Sequence, residues 1–249
     1  MTLALETRGL TCRFGGLVAT DGVSLSLERG ARRALIGPNG AGKTTLVNLL
    51  TGVLTPSSGE IFLDGAAVTR LPRHVRAQRG LARTFQISQL FAGLTPRASL
   101  ALAAGEAQGD GGVFWKPAAK QARAQAIADD LLTRFGLVGE ADRPVGGLAY
   151  GKQRLLDIAL ALASSPRVLL LDEPAAGVPE DERGAILAAL AALPAEIAIL
   201  LIEHDMDLVF AFARRVTVLV NGAVFAEGAA AEIAADPRVR AVYLGEAAA

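Results

Sequence analysis

Apolar positions along the chain fall into three regimes, and each predicts a different set of elements. Up to about residue 88, short apolar runs are separated by turn residues. Val23 to Leu27 alternates apolar and polar side chains, Ala34 to Ile36 is a short buried run, and Glu60-Ile-Phe-Leu-Asp-Gly65 is a strand running into an Asp-Gly turn. Between them a helix is expected to begin at Lys43, to turn Leu46, Leu49 and Leu50 to a core and to end at Gly52. Residues 90–163 change to helical spacing, with Ile127, Leu131 and Phe135 four apart on one face and Gly136 as the cap. Gly109 to Gly112 reads as a loop tip within this region. Strands then return at Val168 to Asp172 and at Ile197 to Ile202, continuous apolar runs of the kind a parallel sheet buries on both faces. Val216 to Val220, Asn221-Gly222 and Ala223 to Ala226 predict a hairpin, because Asn-Gly supplies the two positive φ angles of a tight turn. A short helix around Ala230 to Ala235, the break Asp236-Pro237 and a second short helix end the chain, and no internal repeat is visible.

Composition sharpens this picture of an α/β protein. The 249 residues are 51% hydrophobic, with a mean hydropathy of +0.37, so a membrane segment is the first alternative. Its best candidate is Ile186 to Ile202, about 17 residues, but Pro194 breaks it and Glu196 would sit near the bilayer centre. It reads instead as a helix, a turn and a buried strand. The start, MTLALETRG, has no basic stretch followed by a long apolar run and is not read as a secretory signal. Cys12 alone cannot form an internal disulfide, which fits a reducing compartment. With 25 basic and 25 acidic side chains the net charge is zero, which argues against a nucleic-acid partner.

The sharpest chemistry is Gly37-Pro38-Asn39-Gly40-Ala41-Gly42-Lys43-Thr44, followed by Thr45, between a predicted strand and a predicted helix. Glycines let backbone N–H groups converge on phosphate oxygens, and the helix N-terminus adds a favourable dipole. Lys43 neutralises β/γ-phosphate charge and the Thr44 hydroxyl can ligate Mg²⁺. At this chain's residue frequencies roughly 0.004 chance matches to the pattern are expected, so a coincidental Gly-rich turn is set aside. Val168-Leu-Leu-Leu-Asp-Glu-Pro174 is an apolar strand ending in two carboxylates, where a second magnesium-holding group (Asp172) and a water-activating base (Glu173) are needed; the bland alternative is a helix N-cap by Asp172.

Three further segments stand in order around these: Gln86 in Arg83-Thr-Phe-Gln-Ile-Ser88, Leu148-Ala149-Tyr150-Gly151-Lys152 before the amphipathic run Leu155 to Ala163, and His204 in Ile202-Glu-His-Asp-Met206. Taken singly, Gln86 would be a surface or capping residue, His204 a structural histidine, and Phe14 a core aromatic. P-loop, single glutamine, an LSGGQ-like signature, strand-Asp-Glu and a late histidine in this order resemble the ATP-binding subunit of ABC transporters over nearly the whole chain. Phe14-Gly-Gly-Leu, Arg83-Thr-Phe-Gln, the Leu-Ala-Tyr-Gly signature, Asp172-Glu-Pro-Ala-Ala-Gly, Ile202-Glu-His-Asp-Met and the terminal Tyr243-Leu-Gly-Glu are similar to the ATPase subunits of branched-chain amino acid importers.

The resemblance implies an ABC ATPase fold: a P-loop core of parallel sheet and flanking helices with an antiparallel β subdomain (about 1–88 and 164–249) and an inserted helical subdomain (about 89–163). It implies a nucleotide-sandwich dimer, homo- or heteromeric, in which ATP on one P-loop is closed over by the partner's signature. Phe14 would stack on adenine, Gln86 would sense Mg²⁺ and the γ-phosphate and open the helical region, Asp172 and Thr44 would help hold Mg²⁺, Glu173 would be the general base, and His204 would touch the γ-phosphate. The implied partners are a second ATPase subunit, transmembrane permease subunits and, indirectly, a solute-binding protein, with the chain peripheral on the cytoplasmic face of the membrane. The apolar stretch around Phe85 to Phe91 would line such interfaces.

Two departures from the family pattern are visible. Ala149 stands where most ABC ATPases have Ser, removing a hydroxyl donor worth about 1.5 to 3 kcal/mol to a charged acceptor, so backbone N–H groups near Gly151 must carry that contact. In the D-loop, Ala176-Gly177-Val178-Pro179, proline occupies the usual Asp or Asn position and offers neither N–H nor side-chain acceptor, with Glu180 next to it as a substitute. Other readings are an importer of urea or amides, a lipid or polysaccharide exporter, an ABC ATPase acting on DNA or ribosomes, and a nucleotide kinase or GTPase. The last two lack, respectively, coiled coils or paired domains and a lid or guanine-reading motif.

Overall fold

In a computed structural model of the chain, residues 2–84, 90–108 and 118–244 are described. Strands β1 (Leu3–Phe14) and β2 (Leu17–Glu28) form an antiparallel hairpin, followed by β3 (Arg32–Ile36), helix α1 (Lys43–Thr51), β4 (Ser58–Leu63) and the short β5 (Ala66–Ala67). Helix α2 (Arg73–Gln78) and β6 (Leu81–Arg83) lead to α3 (Pro96–Ala107), α4 (Ala118–Arg134) and α5 (Tyr150–Ala163). The remainder alternates: β7 (Val168–Asp172), α6 (Glu180–Ala191), β8 (Ala198–Ile202), α7 (Met206–Phe212), β9 (Arg215–Val220), β10 (Ala223–Ala229), α8 (Ala230–Ala235) and α9 (Pro237–Leu244).

Two compact units divide the chain: Met1–Leu81 with Arg167–Asp172 and Ala195–Ala249, and Ala82–Pro166 with Glu173–Pro194. The first is built on an antiparallel sheet in the order β2-β1-β4-β5 and a larger sheet in the order β10-β9-β3-β8-β7-β6. Strands β9, β3, β8 and β7 run parallel, and β10 returns antiparallel through the Asn221-Gly222 turn, both of whose residues have positive φ. Every residue of β7 and β8 is buried, which is why their sequences read as unbroken apolar runs instead of alternating ones. On one face, Leu35, Leu170, Leu200 and Ile202 pack in a core with Leu46, Leu49 and Leu50 of α1; on the other, Ala34, Ile36, Val216 and Val218 pack with Val209 of α7, Ile233 of α8 and Val239 of α9.

The second unit is helical. Thr95 caps α3 by accepting from the Ala98 N–H at 3.2 Å, with Pro96 at the first helical position. In α4 the buried stripe is Ala124, Ala128, Leu131 and Leu132, with Phe135 just beyond the helix end; Ile127 is only half-buried, so the face is rotated slightly from the one its spacing predicts. Gly136, at φ 62°, ends that segment as expected. Segment 173–194, assigned with the core on sequence, falls in this helical unit. The stretch Ile186 to Ile202 is the end of α6, a turn and β8, and among the described residues no helix is long and apolar enough to cross a membrane. The predicted loop tip Gly109 to Gly112 lies outside the described residues.

Candidate nucleotide site

Parallel pairing fixes where the P-loop and its candidate partners stand. Leu35 of β3 is level with Ile202 of β8, and Ile202 is level with Asp172 of β7. The chain therefore leaves three neighbouring strands at one edge: β3 into Gly37, β8 into Glu203 and His204, and β7 after Asp172. The carboxyl edge of a parallel sheet is where such folds bind ligands. Asp172 closes its strand, 5% exposed, and the next helix does not begin until Glu180, so the N-cap alternative for it is not realised.

The loop itself is shaped by close backbone approach. A β-carbon at Gly37 would strike the Leu219 carbonyl, and one at Gly42 would strike that of Ala19; both residues hold positive φ, at 153° and 98°. Gly42 is the N-cap of α1 and brings no side-chain acceptor to its first turn. Lys43 Nζ donates to the carbonyls of Gly37 and Pro38 at 2.5 and 2.9 Å, so the ammonium is held inside its own loop. Thr44 is exposed at the same turn. A phosphate fits this cradle: Gly37 and Gly42 let the loop backbone pack on the Leu219 and Ala19 carbonyls, and the N-terminus of α1, with no side-chain acceptor at its cap, favours an anion. The donor set of Thr44 hydroxyl and Asp172 carboxylate is hard oxygen, the kind Mg²⁺ takes.

Phe14 ends β1, 49% exposed, paired with Leu17 at the hairpin tip; two residues on, Ala19 is the backbone against which Gly42 rests. The aromatic thus stands at the tip of the hairpin whose other strand, β2, abuts the loop, and is not the core residue its isolated reading allows. His204 is also exposed, its side chain 65% accessible. Gln86 lies outside the described residues, as do Phe85 and Ser88; Arg83 ends β6 and Phe91 is exposed.

Glu173, directly after β7, holds φ at 47°, a left-handed conformation that L side chains resist by about 1 to 2 kcal/mol. Glu173→Gly should therefore melt later than Glu173→Ala, by about 1 kcal/mol of stability, although both lack the carboxylate. Equal denaturation midpoints for the two variants would refute that strain.

In the second unit, Ala149 is the N-cap of α5 and makes no side-chain capping hydrogen bond. The Gly151 N–H instead donates to Glu182 Oε2 of α6 at 3.1 Å. A β-carbon at Gly177 would come within 3.3 Å of the exposed Tyr150 ring, and Arg183 Nε donates to the Val178 carbonyl at 3.2 Å, so the Ala176 to Pro179 segment lies against both helices. Leu148 is buried, and Lys152 Nζ donates to the Gly136 carbonyl at 2.9 Å.

The roles of four residues escape sequence reasoning. Arg76 of α2, 2% exposed, donates from its guanidinium to the Leu49 and Leu50 carbonyls at the end of α1 and to those of Leu71 and Thr69, at 2.6 to 2.9 Å. It thereby terminates the P-loop helix with a positive charge; burial lowers its pKa from the ordinary arginine value. The Gly222 N–H donates to the Ala41 carbonyl at 3.0 Å, so the β9–β10 turn buttresses the loop. Glu203, 1% exposed, accepts from the His204 and Asp205 N–H groups at 3.1 and 3.4 Å. Glu182 is the fourth. Only the Asn221-Gly222 turn had a local signal; the others serve backbone groups, which leave no mark on residue type.

Comparison with known proteins agrees with this geometry. The ABC transporter family matches residues 20–176, and the branched-chain amino acid ATP-binding cassette transporter family matches residues 223–249. The chain is 42% identical to the high-affinity branched-chain amino acid transport ATP-binding protein BraF of Pseudomonas aeruginosa and 40% identical to LivG of Escherichia coli, covering 98% of each chain in both cases. Among solved structures, an ATP-binding cassette of an ABC transporter superposes with a TM-score of 0.85 at 30% identity, covering 98% of this chain and 99% of that one. The chain belongs to the ATP-binding family of ABC transporters, among the branched-chain amino acid transport ATP-binding proteins.

Proposed function

We propose that the chain binds and hydrolyses ATP to energise an importer of branched-chain or other amino acids, as a peripheral subunit on the cytoplasmic face of permease subunits fed by a solute-binding protein. The observation that carries the reading is the alignment of Leu35, Ile202 and Asp172 at one sheet edge, which brings the P-loop level with two carboxylate-bearing strand ends.

Lys43 exchanges the Gly37 and Pro38 carbonyls for phosphate oxygens when ATP enters, so its charge moves a short way and needs no new solvation. Thr44, Asp172 and Gln86 would hold Mg²⁺, which when bound would supply positive charge against that developing on the phosphate. Phe14 stacks on the adenine. Glu173 accepts a proton from the attacking water, and His204 holds the γ-phosphate, its backbone fixed by Glu203. Leu148 to Lys152 of a second subunit closes over the same nucleotide, and loss of the γ-phosphate on hydrolysis releases it.

This reading expects Glu173→Gln to form a dimer in ATP and to stay monomeric in ADP, as judged by sedimentation; a monomer in both would refute the sandwich. Glu180 opens α6 exposed, beside Pro179. If it replaces the missing D-loop acceptor, Glu180→Ala lowers ATPase rate or cooperativity about two- to fivefold, the range of one exposed charge contact; unchanged kinetics would remove that role.

A further inference from the structure

At the N-terminus of α5 the resting chain presents a negative charge of its own to a group that must receive a phosphate. Ala149 offers no side-chain oxygen at the N-cap, and the Gly151 N–H, at the second helical position, is the kind of donor that an N-cap hydroxyl ordinarily takes. Glu182 supplies the missing acceptor from α6 through its Oε2. The fit depends on glycine, because a β-carbon at position 151 would overlap that carboxylate oxygen.

A serine in the N-cap would be neutral and local. Glu182 is neither: it is a carboxylate, three residues after Pro179, in the first turn of α6 beside Asp181 and Glu180. A carboxylate and a γ-phosphate oxygen compete for the same N–H and the same positive helix end, and their like charges exclude joint occupancy. Resting on the sandwich reading above, we infer that Glu182 is an autoinhibitory plug on the signature helix: nucleotide held by the partner subunit must expel it from the Gly151 N–H before the dimer can close.

Expulsion has a direction of travel. Arg183, next in sequence, donates to the Val178 carbonyl, and the Tyr150 ring lies against Gly177. Movement of the first turn of α6 is therefore transmitted to the Ala176 to Pro179 segment through its own hydrogen bond and packing. This gives the D-loop a mechanical input in a chain whose Pro179 removes the usual side-chain one.

The test uses Glu173→Gln as the parent and reads the ATP concentration at which half the protein is dimeric. Glu182→Ala removes both charge and acceptor, while Glu182→Gln keeps an uncharged acceptor and guards against a folding defect; thermal melts accompany both. The expected result is a fall of about two- to fivefold for Glu182→Ala and a smaller fall for Glu182→Gln, the range for one charge at a helix end. A purely structural cap would move the midpoint the other way, since loosening α5 weakens closure. An unchanged or raised midpoint in the two folded variants, with a parent that dimerises normally, overturns the plug and leaves the sandwich intact. A parent that never dimerises in ATP overturns both.

Discussion

Replacing Glu173 by glutamine should reduce ATP turnover by about a hundredfold to ten-thousandfold, the range over which a positioned general base accelerates proton transfer. ATP affinity should stay within about twofold, because glutamine keeps the shape and removes only proton acceptance. The expectation follows from position: Glu173 directly follows the buried end of β7, and its φ of 47° is a strained conformation kept at a strand exit. Steady-state phosphate release and nucleotide titration of the same preparation separate the two quantities. A variant that loses turnover and affinity together would mean that Glu173 shapes the binding site and not the proton path.

Arg76 carries the second large effect, and it is one of stability. Its guanidinium serves the Leu49, Leu50, Leu71 and Thr69 carbonyls at once, two of them at the end of α1. Each carbonyl stripped of a charged donor in the interior forfeits about 1 to 3 kcal/mol, so Arg76→Met should destabilise the fold by at least about 3 kcal/mol. Arg76→Lys should recover little, because a single ammonium cannot span four acceptors that the planar fork reaches. Since α1 begins at the P-loop, both variants should also loosen nucleotide binding before they unfold. Urea denaturation checks the first point; a loss below about 1 kcal/mol would contradict the assigned role.

Much of the site is legible in the sequence because its elements have local causes. The P-loop needs glycine at Gly37 and Gly42 for positive φ and close approach to the Leu219 and Ala19 carbonyls, and residue identity records that need directly. Strands β7 and β8 are buried on both faces, so unbroken apolar runs announce them, and the Asp64-Gly65 and Asn221-Gly222 turns adopt the positive φ their residue types favour. What sequence does not reveal is service to distant backbone. Arg76 carries no local signal, because the carbonyls it serves at the end of α1 are 26 and 27 residues away. Glu182 is one of three acids in the first turn of α6, yet it holds the start of α5, 31 residues back. Glu203 looks like a spacer before His204 but is more deeply buried than Asp172 and secures the turn behind it. Packing also sets the α4 stripe, which runs through Ala124 and Ala128 and leaves Ile127 half-buried.

The most direct measurement is the steady-state ATPase rate of the chain purified with its permease subunits in lipid, with and without the solute-binding protein loaded with leucine, isoleucine or valine. Stimulation by the loaded protein, abolished by Glu173→Gln, is the expected result. A rate indifferent to the binding protein, or raised only when it carries urea, an amide or another solute that is not an amino acid, would contradict the account.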